Sequence, residues 1–126
     1  MIALDTHTLL WWTLEPPRLS RRARQAIDDA DRIGISAIVF WEVALLARRR
    51  RIDLRSTVGE WSREVLSLPR VEAHPVTPEI ALEAEGLPMH ADPADRFIVA
   101  TARKNGCPLV TRDAAIRRDG LTPVLW

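Results

Sequence analysis

The 126-residue chain has a single cysteine, Cys107. An internal disulfide is therefore excluded, and the chain fits a reducing cytoplasm. Cys107 lies among apolar neighbours and reads as a core filler. No apolar run reaches the length of a membrane span, and the N-terminus lacks the pattern of a signal peptide; Met1-Ile-Ala-Leu reads instead as a first strand. Glycine is scarce: there are five, and no two form a GxG pair, so no glycine-rich phosphate loop is present. No GxSxG nucleophile elbow occurs. Asp5 is followed by Thr6 and His7, so the DxD pair that would point to an aspartyl-phosphate phosphotransferase is missing. Lysine is nearly absent as well: of 18 basic residues, only Lys104 is not arginine.

What remains is a globular composition, 47% hydrophobic with a formal net charge of +1. It is enough for one domain spanning residues 1–126 with a substantial core. The near-neutral balance excludes a strong polyanion magnet over the whole surface. Arginine suits phosphate through its planar fork, and a GC-rich genome gives the same bias. The block Arg48-Arg49-Arg50-Arg51 is either a solvated helix C-terminus, where cations are favoured, or a phosphate-contacting patch.

Short apolar runs alternate with longer helical patterns. Strands are expected at 2–5, 33–36, 71–76 (interrupted by Pro75), 108–111 and 123–125. Helices are expected at 7–14, 21–30 (capped by Ser20), 38–50, 57–67, 78–85 and 93–104. Pro16-Pro17 ends the first helix and Asn105-Gly106 the last. This alternation predicts an α/β fold with a parallel sheet of four to five strands, covered on both faces. Right-handed crossovers place the C-terminal strand ends on one rim, where open α/β sheets bind ligands near the reversal of strand order.

That rim carries acids. Asp5 ends the first strand. Ser36 ends the second, and Glu42 follows in the next helix, within SAIVFWEVA. Asp113 follows the late strand, within PLVTRDAAI. Asp95 opens the helix that feeds that strand, within HADPADRFIVATA. In that last stretch Asp92 has the position of an N-cap, with Pro93 at the first helical position and Asp95 in the first turn. Four carboxylates in one pocket raise each other's pKa unless a counter-charge joins them. Oxygen ligands without clustered His or Cys point to Mg²⁺ or Mn²⁺ rather than Zn²⁺. The chemistry this suggests is metal-assisted phosphodiester hydrolysis.

Asp5, SAIVFWEVA with Glu42, DPADRFIVATA with Asp95 and LVTRD with Asp113 together resemble the four acidic motifs of PIN-domain ribonucleases. Size and motif order are similar to the VapC toxins of toxin–antitoxin pairs, over nearly the whole chain. The resemblance implies a three-layer α/β/α PIN-like fold. It implies a Mg²⁺- or Mn²⁺-dependent endoribonuclease acting on structured RNA such as tRNA or rRNA. It also implies a small antitoxin partner that covers the groove, and a homodimer. Asp5, Glu42, Asp95 and Asp113 would form the catalytic and metal site. Thr6, Ser36 and Thr111 would place hydroxyls near it, and Asp92 would serve as the cap.

Other residues carry weaker signals. His7 either begins a helix or touches phosphate. His74 and His90 read as surface or loop residues. Arg96 and Arg112 each either pair with a carboxylate or contact RNA, as Arg48 and Arg49 would in the patch reading. Trp11 and Trp12 face different sides of one helix, one toward the core and the other toward a partner. Trp41 and Trp61 read as core, and Trp126 packs the last strand. Two other functions fit the same pattern: a non-catalytic RNA- or protein-binding module, and a nuclease acting on DNA.

Overall fold

The computed structural model describes residues 1–126 as an α/β fold built on a five-stranded sheet. The strands are β1 (Ile2–Leu4), β2 (Ile33–Ser36), β3 (Val71–His74), β4 (Leu109–Val110) and β5 (Val124–Leu125). The helices are α1 (Thr6–Leu14), α2 (Arg21–Asp29), α3 (Ala37–Arg48), α4 (Val58–Ser67), α5 (Pro78–Gly86), α6 (Pro93–Lys104) and α7 (Ala114–Asp119). A 3-10 turn at Pro16–Arg18 follows α1.

The sheet order is β3-β2-β1-β4-β5, and every pairing is parallel. β1 is central, with Ala3 opposite both Gly34 of β2 and Leu109 of β4. Every residue of β1, β2 and β4 is buried. Successive strand residues point to opposite faces, so helices must cover both faces of the sheet. This is the three-layer α/β/α arrangement that the alternating pattern predicts. The chain moves outward from β1 to β2 and β3, then crosses back to β4 on the other side. Strand order therefore reverses between β1 and β4, and a crevice opens there at their C-terminal ends.

Helix starts follow the capping residues of the sequence. Ser20, Thr57, Thr77 and Asp92 each accept a backbone N–H from the first turn of α2, α4, α5 and α6. The core is a single apolar cluster in which Leu4, Leu9, Ile33, Ile35, Val39, Ile98 and Leu109 are fully enclosed. Cys107 is buried just before β4, and Trp61 is among the largest enclosed side chains.

Three expectations need correction. The third strand stops at His74, because Pro75 has no N–H for the ladder. A helix that the periodicity does not announce, α7, lies between β4 and β5; its six residues are too few to show a repeat. Trp41 is not core. It is 54% exposed on α3, whose residues turned toward the protein are Val39 and Val43. No helix is long and apolar enough to cross a membrane.

Candidate active site

Asp5 stands at the reversal point. It follows β1 directly and caps α1, its Oδ1 accepting the Thr8 backbone N–H at 2.7 Å. The residue is only 7% exposed. The Thr111 hydroxyl, at the end of β4, donates to Asp5 Oδ2. The same Thr111 oxygen accepts the Asp113 backbone N–H at 3.0 Å. Thr8 Oγ1 closes the other side of the crevice by donating to the Val110 carbonyl at 2.9 Å.

Asp113 begins α7 as its cap, with Oδ1 accepting the N–H groups of Ala115 and Ile116. Asp95 sits in the first turn of α6. Its backbone N–H donates to Asp92 Oδ1 at 3.2 Å, which fixes Asp92 as the helix cap. Glu42 projects from the second turn of α3. All four acids, Asp5, Glu42, Asp95 and Asp113, line one cleft of about 250 Å³, together with Thr6, His7, Trp11 and Arg112.

The electrostatics of this cleft are those of crowded, poorly hydrated carboxylates. Burial raises the Asp5 pKa above the ordinary value, against the hydrogen bonds of Thr111 and Thr8 that lower it. Burial likewise raises Glu42, against the Thr6 hydroxyl that lowers it, and the charges of Asp92 and Asp5 add to the rise. Asp95 is pushed up to about 6, first by burial and then by the charges of Asp92 and Asp113, while His90 pulls it down. Three acids shifted toward their neutral forms make a cleft whose strain a bound cation would relieve. Thr6 Oγ1 is buried and faces Glu42, without a hydrogen bond of ordinary length to any group.

The chemistry of the donor set fits a hard divalent cation: four carboxylates and the Thr6 hydroxyl, with no sulfur ligand. As they stand here, no three His, Cys, Asp or Glu side chains come close enough together to hold a metal ion, so the acids would have to draw inward around one. An open cleft lined by carboxylates suits Mg²⁺, which keeps several of its waters, better than a fully dehydrated ion.

Several expected residues lie elsewhere or do something else. Ser36 is buried and caps α3, Oγ accepting the Ile38 N–H at 3.4 Å; it does not line the cleft. Arg96 neither pairs with a carboxylate nor faces the cleft. Its guanidinium donates to the carbonyls of Ala84, Glu85, Leu87 and Met89, closing the C-terminal end of α5. Arg112 does line the cleft, 6.0 Å from the Trp11 ring centroid and without a carboxylate partner. His7 lines it too, packed against Trp11. Trp11 is buried and meets Trp126, whereas Trp12 lines an apolar groove of about 310 Å³ with Leu14, Leu54, Trp61 and Leu68. Arg48 and Arg49 are exposed at the end of α3, away from the cleft lining.

His90 is the residue that sequence reasoning missed. Its Nε2 lies 2.7 Å from Asp95 Oδ2, and its Nδ1 lies 2.6 Å from Asp119 Oδ2. Both ring nitrogens face carboxylates and both donate when the acids are ionised, so its pKa is raised. The opposite shift appears on Asp119, lowered by the same bond. A histidine two residues before an Asp-Pro helix start was a usable signal; its second partner, 29 residues downstream, was not.

A sequence model of the PIN domain matches residues 2–120. The chain belongs to the PIN-domain family. It is 42% identical over 118 residues to Ribonuclease VapC22 of Mycobacterium tuberculosis, covering 92% of this chain and 89% of that one, which makes it a VapC-type PIN protein. Among solved structures, VapBC2 of Rickettsia felis bound to a promoter DNA fragment shares the fold with a TM-score of 0.70, at 18% identity over 98% of this chain and 97% of that one. VapC20 of Mycobacterium tuberculosis, described as a toxin that cleaves the sarcin–ricin loop, gives a TM-score of 0.70 at 20% identity, over 95% of each chain. At such identities these likenesses speak for the PIN fold alone.

Proposed function

We propose that this VapC-type protein is a metal-dependent endoribonuclease, the toxin of a toxin–antitoxin pair, which hydrolyses phosphodiester bonds of structured RNA. The observation that carries the reading is the meeting of Asp5, Glu42, Asp95 and Asp113, from four separate elements, in one cleft. The relative at 42% identity is named a ribonuclease, which favours RNA over DNA and a working over a retired site. Structured RNA, rRNA and tRNA, is the first substrate class to test.

The four acids, with Thr6 beside them, would hold Mg²⁺ or Mn²⁺, which would supply charge neutralisation at the phosphate and activation of the attacking water. The chain's own contribution is to hold the acids in place. Thr111 aims Asp5 by hydrogen bonding rather than by touching the cation. The α6 N-terminus offsets the charge of Asp95. Arg112 and His7, on the cleft wall, meet the phosphates of the bound strand. Arg48 and Arg49, exposed at the end of α3 and away from the cleft lining, would meet phosphates of a longer bound strand.

The partner is a small antitoxin that lies over the cleft, with the apolar groove around Trp12 and Trp61 as an anchor. A homodimer would cover exposed apolar surface such as that of Trp41 on α3. The test uses antitoxin-free protein on total tRNA and rRNA, with Mg²⁺, with Mn²⁺ and with EDTA. Discrete fragments that appear only with metal support the reading. Intact RNA of every class with folded, metal-supplied protein removes it.

A further inference from the structure

Three of the four cleft acids belong to one hydrogen-bonded chain. Thr111 joins Asp5 to the backbone of Asp113. From Asp113, α7 runs six residues to Asp119, about 9 Å along its axis. Asp119 Oδ2 accepts from the His90 ring at 2.6 Å and from the His90 backbone N–H at 3.3 Å. The far side of the same ring meets Asp95 at 2.7 Å. Asp95 and Asp113 share no direct bond, and they come from different helices. His90 does not line the cleft; it stands behind Asp95, tied at both ring nitrogens.

We propose that His90 is a positioning residue for the cleft: backed by Asp119, it sets Asp95 at a fixed distance and angle from Asp113, with α7 as the spacer between the two acids. The inference rests on the reading of the cleft as a cation site. A ligating carboxylate gains geometry and affinity from the group behind it, and loss of such a group costs roughly 10- to 100-fold in metal affinity. A six-residue helix with a bond at each end is a short, stiff strut. The left-handed Gly120, φ 66°, stops it directly after Asp119 and so fixes where its far end falls.

Two amides separate the two halves of the clamp. In His90→Gln the amide reaches where Nε2 stands, so the bond to Asp95 is kept and the one to Asp119 is broken. In His90→Asn the amide reaches where Nδ1 stands, so the bond to Asp119 is kept and Asp95 is released. Each variant gives up one bond to a carboxylate, so thermal midpoints fall by similar amounts. The measurement is Mn²⁺ affinity of the purified chain by calorimetry, beside its thermal midpoint. The expected result is a loss of a few fold for His90→Gln, which still bonds Asp95 but is cut off from Asp119 and α7, and roughly tenfold or more for His90→Asn, which releases Asp95 altogether. Asp119→Ala, which leaves the ring bonded to Asp95 but unbacked, should match His90→Gln, and wild-type affinity in Asp119→Ala would overturn the strut even if His90→Asn does not fold. Equal affinities in the two His90 variants, high or low, overturn the positioning role while leaving the cation site standing. A wild-type chain that binds no Mn²⁺ overturns the cation site and the clamp together.

Discussion

Thr111 donates its hydroxyl proton to Asp5 across the gap between β4 and β1, and holds the Asp113 backbone N–H with the same oxygen. The bond joins two residues 106 positions apart at the reversal of strand order. It explains how a buried carboxylate is kept in one orientation at the mouth of a cleft. Replacing Thr111 by Val keeps the shape and removes both bonds. Stability should fall by about 1–3 kcal/mol in urea unfolding, the cost of leaving buried polar groups unpaired. Thr111→Ser should restore most of it.

Asp5→Asn is expected to separate stability from activity. Asn caps a helix about as well as Asp, so the α1 start survives. The buried charge, whose pKa is raised by desolvation, is gone. The variant should therefore melt at or above the wild-type temperature in the absence of metal, yet lose RNA cleavage.

Asp95 gives a pH dependence with a definite sign. Its folded pKa of about 6 lies above the ordinary carboxylate value of 3.8. Between those values the native state binds more protons than the unfolded chain, so metal-free stability decreases as pH rises from about 4 to about 6. A loss on the order of 1–3 kcal/mol follows, after allowance for partial solvation. His90, with its pKa raised from 6.5, adds in the same direction at higher pH: its contribution is complete below that ordinary value and is lost as pH passes the folded one. Asp119, lowered, acts oppositely at the acid end. Denaturation at about pH 4.5, 6 and 7.5 checks the slope, and Asp95→Asn should flatten its acid part. Mg²⁺ should stabilise the protein more at the highest of these pH values than at the lowest.

The four arginines that resemblance or position put near RNA should divide into two groups. Arg96→Ala should cost about 2–3 kcal/mol of stability, because the carbonyls ending α5 lose a charged donor. RNA affinity of the folded variant should not change. Arg112→Ala, Arg48→Ala and Arg49→Ala should leave stability within about 0.5 kcal/mol. Removing each phosphate-binding guanidinium should lower the salt dependence of RNA binding by about one unit of slope. Binding measured between about 50 and 200 mM salt distinguishes the groups.

The acids were legible because each stands where one local pattern yields to another. Asp5 and Asp113 end apolar strands, and Asp95 follows an Asp-Pro cap, so their shared rim follows from parallel topology. The strands themselves were legible from buried runs such as IGIS, and the cap at Asp92 from its proline. What failed to show depends on distant partners. Arg96 adjoins an acid in sequence but folds back onto the end of α5. His90 looks like a loop residue until Asp119 comes near. Trp41 sits in a helix apolar nearly all round, where periodicity cannot say which side is covered. Sheet order was not readable either, because the crossing from β3 back to β4 leaves no local mark.

A divalent cation held by these carboxylates and acting on RNA is the core of the proposed chemistry. It is tested by the cleavage rate of tRNA and rRNA against Mg²⁺ concentration, for wild type and Asp5→Asn. The rate should saturate with Mg²⁺, vanish in EDTA and drop roughly 100-fold or more in Asp5→Asn, the scale of several kcal/mol at the transition state. Cleavage that ignores Mg²⁺ and EDTA, or that survives in Asp5→Asn, would contradict a metal site built on Asp5.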